Sequence, residues 1–412
     1  MPKSKKTRLS NSITKQENKL KKKEKIDQKA ISNQPTTKSD FKLNNKLQIK
    51  EQTNELISLD TEDKIIVKDF LIIAGSYERI LYGIDAHWIK SGESSDDDDF
   101  SLKLDPIFVF SAHTGCIKTV SVGGKFLASG STDEVIKLYN LRKRKELGSL
   151  LQHEGSITTI QFFNKTHMFS GSEDGTICIW RTKDWECLKT LKGHKGRVNS
   201  LAVHPSGKIA LSVSNDKTVR LWNLLAGQKA SVNKLGREGE IILWNSSGEQ
   251  YAILMAREIE IYSTSDAQIL QRFQSGNSRF LCMQYYEHEH LGDLLIVGSE
   301  DKAIRVYEVK SGNCLITLLG HKNRIKDISI IQSIPPNNSA PFTLLSSISS
   351  DGVINVWNLN KVLPHNYKEG NNPIFNLPLA TYDTKSRLTC VVLSQKFDAQ
   401  DLEERASQQD FA

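Results

Sequence analysis

The stretch 170–180 reads SGSEDGTICIW, and the chain of 412 residues contains four phrases like it. Each has short alternating apolar positions on either side of a polar turn, a pattern typical of a β-hairpin. The relatives are SGSTDEVIKLY at 129–139, SVSNDKTVRLW at 212–222, VGSEDKAIRVY at 297–307 and SISSDGVINVW at 347–357. The starts are separated by 41, 42, 85 and 50 residues, and a period of roughly forty residues indicates a four-stranded propeller blade.

The 85-residue step predicts a degenerate copy in its middle. AILMAREIEIY at 252–262 keeps the strand alternation but lacks the turn aspartate. Upstream, IIAGSYERILYGI at 72–84 is another copy, with Glu78 at the aspartate position. The chain therefore predicts an all-β, seven-bladed propeller over 66–394, with each phrase joining the second and third strands of a blade.

The two ends of the propeller are predicted to meet in the first blade. RLTCVVL at 387–393 supplies the innermost strand that this blade lacks, and PIFVFSAH at 106–113 supplies its outer strand. Such closure removes the unpaired strand edges that would otherwise promote aggregation. An acidic insertion, 91–105, is expected on the surface.

The basic character of the chain belongs to its N-terminal tail. The net charge is +7, but residues 1–30 hold eleven lysines and arginines against three acidic residues. The segment 1–65 has few large apolar residues, so we expect disorder. Its basic centre contains Lys19, Lys21, Lys22, Lys23 and Lys25. Nuclear import with RNA-phosphate binding is the favoured interpretation, and a solubilising tail is the alternative. A short acidic tail, 395–412, follows the propeller.

Composition excludes several classes of protein. No apolar run is long enough for a membrane-spanning helix, and the N-terminus lacks a secretory signal core. Six cysteines occur without a C-x-x-C pair, which favours reduced thiols in the cytosol or nucleus. We find no phosphate-binding loop, nucleophile elbow or zinc motif, so no cofactor or metal is expected. HEH at 288–290 is interpreted as a solvated turn.

Histidines precede the turn aspartates by 20 to 22 residues in three repeats and by 30 in the fourth, and they suggest, at first sight, a hydrolase triad. The nearby serines are Ser131, Ser172, Ser214 and Ser349. An active site needs a single tuned pocket, whereas a structural network must recur in every blade. We therefore predict a hydrogen-bonded brace and no enzyme activity. The predicted brace residues are His113, Asp133, His153, Asp174, Trp180, His194, Asp216, Trp222, Asp301, His321, Asp351 and Trp357.

Two further sets of residues are candidates for binding and modification. Lys195, Arg197, Lys322 and Arg324 follow two of the histidines, and we hypothesise that they contact an acidic peptide or RNA phosphate. Ordinary solvated surface charge is the alternative. In the acidic run GESSDDDD at 92–99, Ser94 and Ser95 are candidate phosphorylation sites.

The dipeptides Gly193-His194 and Trp222-Asn223 resemble the marks of WD40 repeats. The stretch 185–224, with AGSYERILYG at 74–83, SGEQY at 247–251 and SRLTC at 386–390, resembles the PAK-interacting-protein/maintenance-of-killer family. This resemblance implies a nucleolar WD40 scaffold that assembles the large (60S) ribosomal subunit. The implied partners are pre-60S proteins, one of them ribosomal-protein-like, and pre-rRNA. The alternative it implies is an adaptor that restrains a PAK-type kinase. We expect a monomeric propeller in either case.

Overall fold

The computed structural model describes residues 66–67, 69–90, 100–335, 341–363 and 372–396. These residues form seven sheets of four or five strands and one short helix, α1 (Leu359–Val362). The tail 1–65 with its lysines, the candidate phosphosites Ser94 and Ser95, and residues 397–412 lie outside the described residues. No described helix is long and apolar enough to cross a bilayer.

Each of the first four sheets has four strands, ordered from the innermost strand outward. Sheet 1 contains β30 (Leu388–Gln395), β2 (Phe70–Ser76), β3 (Ile80–Lys90) and β4 (Phe100–Ser111). Sheet 2 contains β5 (Ile117–Gly123), β6 (Phe126–Ser131), β7 (Ile136–Asn140) and β8 (Lys145–Leu150). Sheet 3 contains β9 (Ile157–Phe163), β10 (His167–Ser172), β11 (Thr176–Arg181) and β12 (Cys187–Lys192). Sheet 4 contains β13 (Val198–Val203), β14 (Ile209–Ser214), β15 (Thr218–Asn223) and β16 (Gln228–Lys234).

The last three sheets follow the same order, and two of them gain a short parallel strand. Sheet 5 contains β17 (Ile241–Trp244), β18 (Gln250–Met255), β19 (Glu258–Ser263) and β20 (Ile269–Gln274). Sheet 6 contains β21 (Phe280–His288), β22 (Gly292–Ser299), β23 (Ala303–Glu308), β24 (Cys314–Leu319) and the parallel β28 (Ile374–Phe375). Sheet 7 contains β25 (Ile325–Ser333), β26 (Phe342–Ser349), β27 (Val353–Asn358) and β29 (Ala380–Asp383), with the parallel β1 (Ile66–Val67) beside β25.

Seven apolar clusters show how the sheets form a ring. Each cluster lies between two consecutive sheets, and the last one joins sheet 7 to sheet 1. Ile177 and Ile179 of sheet 3, for example, pack with Val198 and Leu201 of sheet 4. Since a single sheet cannot bury this face alone, the repetition of the phrase is a requirement of the fold. The predicted seven-bladed propeller is confirmed.

The glycine of the repeated phrase is required by this packing. A Cβ atom on Gly130 would lie 2.5 Å from Cγ2 of Ile157, the first residue of the next innermost strand. A Cβ atom on Gly171 would lie 3.0 Å from Cγ1 of Val198, which occupies the same position one sheet further on. The close approach of neighbouring sheets therefore explains the Gly at this position in sheets 2 and 3, whereas sheets 4 and 7 have Val213 and Ile348 there.

The ring closes within sheet 1, where β30 pairs antiparallel with β2 along its length. The outer strand of this sheet is longer than the sequence suggested. Phe100–Ser111 forms one continuous strand, and Asp105 pairs with Asp85 of β3. The predicted insertion 91–105 is therefore wrong at its C-terminal end, because the alternating apolar residues of 100–105 extend the sheet.

Side chains satisfy the free edges of the innermost strands, which have no strand beyond them along most of their length. The Thr389 hydroxyl donates to the carbonyl of Ile117 at 2.6 Å, and the Thr158 hydroxyl donates to that of Val198 at 2.6 Å. In sheet 7, a carboxyl oxygen of Asp327 accepts the Val391 N–H at 2.9 Å. Each bond joins one sheet to its neighbour, so these residues secure the ring while pairing buried backbone groups.

Candidate partner-binding face

The turn aspartates hold the loops on one side of the propeller, here called the histidine face. The Asp174 carboxylate accepts the Thr176 N–H at 2.7 Å, which closes the hairpin turn, and the Glu154 N–H at 3.1 Å. The latter residue follows His153, so one carboxylate ties two loops together. The residue after the acid is left-handed in six sheets: Arg79, Glu134, Gly175, Lys217, Lys302 and Gly352. An aspartate suits such a turn because its side chain bonds the backbone two residues on.

A four-residue hydrogen-bonded chain then runs inward from the aspartate. In sheet 4, His194 Nδ1 lies 3.0 Å from Asp216 Oδ2, and its Nε2 lies 2.8 Å from Ser212 Oγ. Trp222 Nε1 donates to the same hydroxyl at 2.8 Å. Since a carboxylate only accepts and an indole only donates, one neutral tautomer, with the proton on Nδ1, satisfies the whole chain.

The complete chain recurs in sheet 3, and parts of it recur in sheets 2 and 7. Sheet 2 has Tyr139 in place of the tryptophan, and His321 Nδ1 in sheet 7 makes no hydrogen bond to any described residue. His113 and His153 each place Nδ1 3.0 Å from their aspartates, and His321 places it at 3.5 Å. Trp180 and Trp357 donate to the serine in sheets 3 and 7 at 2.9 and 3.0 Å. The histidines bond Ser129, Ser170 and Ser347 in sheets 2, 3 and 7.

The prediction of the participating serines is wrong. The hydroxyls that meet the histidines belong to the first serine of each SGS-type phrase, whereas the prediction placed the second serine there. Ser172 Oγ instead accepts the Asp174 N–H at 3.2 Å and donates to the Gly155 carbonyl at 2.8 Å. The same backbone role falls to Ser131, Ser214 and Ser349. Strand alternation explains the error: residues two apart share a face but lie at different depths.

Sheet 6 uses a different brace around Asp301. No histidine meets this carboxylate; Arg305 Nη2 approaches Oδ2 at 2.6 Å, and Arg305 Nη1 donates to Ser299 Oγ at 3.0 Å. The guanidinium therefore takes the place of the histidine at the aspartate, but it bonds the second serine of the phrase, because Val297 occupies the position of the first. The substitution was not predicted, although an arginine four residues after the turn aspartate is visible in VGSEDKAIRVY.

The pKa directions agree with a structural brace. Burial lowers the pKa of His113 and His194 and keeps both rings neutral. Burial alone would raise the pKa of Asp351, but the nearby His321 ring and hydrogen bonds from the N–H groups of Val353 and Lys322 lower it to about 2. The serine hydroxyls inside the chains are fully buried, so no substrate can reach them. Among the described residues, no group of three His, Cys, Asp or Glu side chains could hold a metal ion.

The four predicted binding cations lie on two separate loops of the histidine face. Lys195 and Lys322 are exposed, and their backbone N–H groups donate to Asp216 and Asp351. Arg197 is neutralised, since its Nη2 lies 2.9 Å from Glu238 Oε1. Arg324 is half-buried and donates to Ser350 Oγ at 3.4 Å. The four therefore do not form one patch, because the first two precede β13 and the others precede β25.

A second concave surface, here called the apolar cleft, lies between sheets 1 and 2 at the opposite ends of the strands. It has a volume of about 410 Å³ and is lined by Phe108, Phe110 and Tyr139, with Arg144 and Lys145 among its lining residues. Ring centroids of Phe110 and Tyr139 are 5.8 Å apart. Phe110 is 38% exposed, so an aromatic ring of the cleft faces solvent.

Comparisons with known proteins agree with this geometry. The family model described as "WD domain, G-beta repeat" matches residues 104–140, 144–181, 185–223 and 312–358. Those are the repeats that contain the His–Asp pairs. The zebrafish (Danio rerio) protein "p21-activated protein kinase-interacting protein 1-like" is 36% identical over 342 residues, which cover 82% of this chain and 84% of that protein.

The chain belongs to the PAK-interacting protein 1 and MAK11 family of WD40 proteins. "Protein MAK11" of Saccharomyces cerevisiae is 33% identical over 367 residues, covering 79% of this chain and 83% of the yeast protein. "Shk1 kinase-binding protein 15" of Schizosaccharomyces pombe is 28% identical over 306 residues, covering 73% and 81%. In this family member, the seven-bladed fold, the WD repeats and the character of an interaction protein agree with the sequence analysis.

Proposed function

We propose that this family member is a non-catalytic scaffold for assembly of the large (60S) ribosomal subunit in the nucleolus. It would hold a ribosomal-protein-like partner on the histidine face and bind pre-rRNA through its N-terminal lysines. The single observation that carries the proposal is that the histidines, aspartates and serines of the repeats are engaged in contacts within the fold. The histidines, aspartates and serines of the repeats therefore have structural roles, and the exposed loops around them remain available to bind a partner.

Charge supports the same role. Residues 1–30 are strongly basic, and electrostatic binding to RNA phosphate needs such a segment. Lys195 and Lys322 project from loops that the aspartates fix in position. A rigid loop loses less conformational entropy when it binds, so a partner segment gains affinity from this preorganisation.

A sucrose gradient of cell extract tests the proposal. The tagged chain is expected to sediment with large-subunit precursors and to leave them at high salt. A variant with Lys195, Arg197, Lys322 and Arg324 all changed to Glu should be recovered mainly at the top of the gradient. The matched control is Lys229→Glu with Lys234→Glu, which changes two exposed lysines of the outer strand β16. The proposal is wrong if the tagged chain and the control variant both sediment only as free protein.

Kinase binding is the second candidate function. Two relatives are named for interaction with a kinase, as "p21-activated protein kinase-interacting protein 1" in Homo sapiens and "Shk1 kinase-binding protein 15" in fission yeast. The apolar cleft offers the exposed aromatic surface that a protein interface needs. Phe110→Ser should then abolish capture of a PAK-type kinase without changing sedimentation. Capture that is unaffected by this variant would remove the cleft from consideration.

A further inference from the structure

Two positions per sheet set the charge around the opening of the central channel on the histidine face: the residue before each innermost strand and the second residue within it. In sheets 4 and 6 the arginine at the first position is neutralised. Arg197 pairs with Glu238 at 2.9 Å, and Arg279 pairs with Glu240 at 2.5 Å. On that side of the channel, the cations are matched by carboxylates.

Sheets 7, 1 and 2 are different. Their cations are Arg324 and Arg387 at the first position and Lys326 and Lys118 at the second, here called the seam cluster. Within the part of the chain that the structure describes, none of the four forms an ion pair with a carboxylate. Arg387 stacks instead over the Tyr77 ring, 5.2 Å from its centroid, which leaves its charge uncompensated.

The four cations lie at the same ends of the innermost strands of three consecutive sheets, β25, β30 and β5. Lys326 is half-buried, and its pKa is lowered by burial and then by the charges of Arg324, Arg387 and Lys118. The strands themselves bring these residues together, since Thr389 bonds β30 to β5 and Asp327 bonds β25 to β30. Cations that are gathered in one concavity without carboxylate partners raise the local concentration of anions through their summed potential.

The opening beside the cluster is concave. A cavity of about 420 Å³ is lined by Glu300, Asn323, Arg324, Ser350 and Arg387. Glu300 and Glu78 are nearby carboxylates, and the latter accepts the Arg387 N–H at 3.0 Å. Asp327, which follows Lys326, is partly ionised at neutral pH because its pKa is about 7. The four cations therefore exceed these carboxylates by between about one and two charges. A phosphomonoester carries a charge of about −1.5 to −2 at neutral pH and matches that excess.

We propose that the seam cluster binds a phosphomonoester group on a phosphorylated segment of a protein partner. Arg324 and Arg387 would donate paired hydrogen bonds to the phosphate oxygens, and Lys118 and Lys326 would supply charge. This inference rests on the proposed function and adds the chemical class of the segment that the histidine face binds. A phosphodiester carries a single charge per group, so the excess favours a phosphopeptide over RNA.

Binding of a synthetic peptide tests the site. Fluorescence anisotropy with the purified full chain compares a Gly/Ser peptide carrying one phosphoserine with the same peptide unphosphorylated. The phosphopeptide should bind at least about tenfold more tightly, and Arg324→Ala with Arg387→Ala should remove that difference. Arg279→Ala is the matched control, since it removes a neutralised arginine from the same position. Changing Lys21, Lys22 and Lys23 to Gln controls for the tail and should leave the difference intact.

Competition distinguishes the source of the phosphate. If the phosphopeptide outcompetes inorganic phosphate by a large factor, the partner is a phosphorylated protein; equal affinity assigns the site to free phosphate. Equal binding of both peptides, or binding insensitive to the two arginines, would overturn the proposal. If oligo(U) competes only when these arginines are present, and the chain shows no preference for phosphoserine, the phosphopeptide proposal is wrong and the site binds RNA.

Thermal unfolding gives a readout that an ordinary structural residue would not. Because Lys326 is repelled by its neighbours, Lys326→Met should raise the unfolding temperature without phosphate and reduce the stabilisation by added phosphate. A lower unfolding temperature with an unchanged phosphate effect would contradict the site. These measurements use the isolated chain, so their failure leaves the sedimentation result standing, and the reverse also holds.

Discussion

Ser212 occupies the centre of the hydrogen-bonded chain in sheet 4, between His194 and Trp222. Ser212→Ala would leave two buried donors or acceptors without partners, and each should cost about 1–3 kcal/mol. We expect the free energy of unfolding to fall by at least about 2 kcal/mol, measured with urea. Ser206→Ala, on an exposed turn, is the control and should change it by less than about 0.5 kcal/mol. Equal effects of the two variants would contradict the brace.

Asp327 gives the residue-scale prediction for pH. Burial raises the pKa of this carboxyl to about 7, although the N–H groups of Val391 and Ile328 act against the shift. The unfolded chain has the ordinary value of 3.8, so the protonated form is favoured by folding. The stability from Asp327 is therefore greatest at low pH and is lost as the pH rises from about 4 through about 7.

Asp327→Asn removes this titration and keeps an acceptor for the Val391 N–H. The free energy of unfolding of the variant should therefore improve relative to the parent chain between pH 5 and pH 8. The comparison cancels the histidine pairs, whose lowered pKa values act in the opposite direction and reduce stability on acidification. A difference between the two proteins that stays constant with pH would show that Asp327 is not titrating there.

At the scale of elements, the equivalent threonine hydrogen bonds that join neighbouring sheets should contribute equally to the free energy of unfolding. The Thr389 hydroxyl lies 3.0 Å from the Gly75 carbonyl and 2.6 Å from that of Ile117, and the Thr158 hydroxyl lies at the same distances from Gly171 and Val198. Thr389→Val and Thr158→Val should therefore each destabilise the protein by about 1 kcal/mol. Thr384→Val is unsuitable as a control because its hydroxyl also bonds backbone. If urea unfolding shows that Thr389→Val destabilises the protein and Thr158→Val does not, sheet 1 is joined to its neighbour differently from the other sheets.

Strand β30 is the element on which ring closure depends. A variant lacking residues 387–412 leaves β2 with an unpaired edge and exposes Leu71 and Ile73 of the cluster between sheets 1 and 2. We expect this variant to aggregate, whereas one lacking only 397–412 should remain monomeric in size-exclusion chromatography. A monomeric, cooperatively folded protein without β30 would contradict the closed ring.

The sequence predicts the strands well because the spacing of their apolar residues follows from which side chains are buried. Alternating apolar residues such as Ile177 and Ile179 must face a neighbour, and their spacing alone indicates seven sheets. The pattern does not show so directly how far along a strand a side chain lies, which explains why Ser172 instead of Ser170 was predicted beside the histidine. Of the four residues of the seam cluster, the sequence predicts only Arg324 as a binding residue. Aligning the residue before each innermost strand finds Arg387 as well, and aligning the second residue within each finds Lys118 and Lys326, but their grouping requires the order of sheets 7, 1 and 2.

At the scale of the whole molecule, the N-terminal tail and the propeller carry separate predicted tasks. If the tail directs import, a chain beginning at residue 60 should lose nucleolar concentration in fluorescence microscopy while its propeller still folds. The eleven cations among residues 1–30 are the physical reason. Nucleolar concentration of the shortened chain would assign import to the propeller instead.

The histidine face is the central claim about the whole molecule, and site-specific photo-crosslinking in cells tests it most directly. A photoreactive residue at Asn323, an exposed lining residue of the channel opening, is compared with one at Leu270, exposed on outer strand β20. We predict that position 323 crosslinks to a protein that sediments with large-subunit precursors and that position 270 does not. Crosslinks from position 270 with none from position 323 would contradict the account.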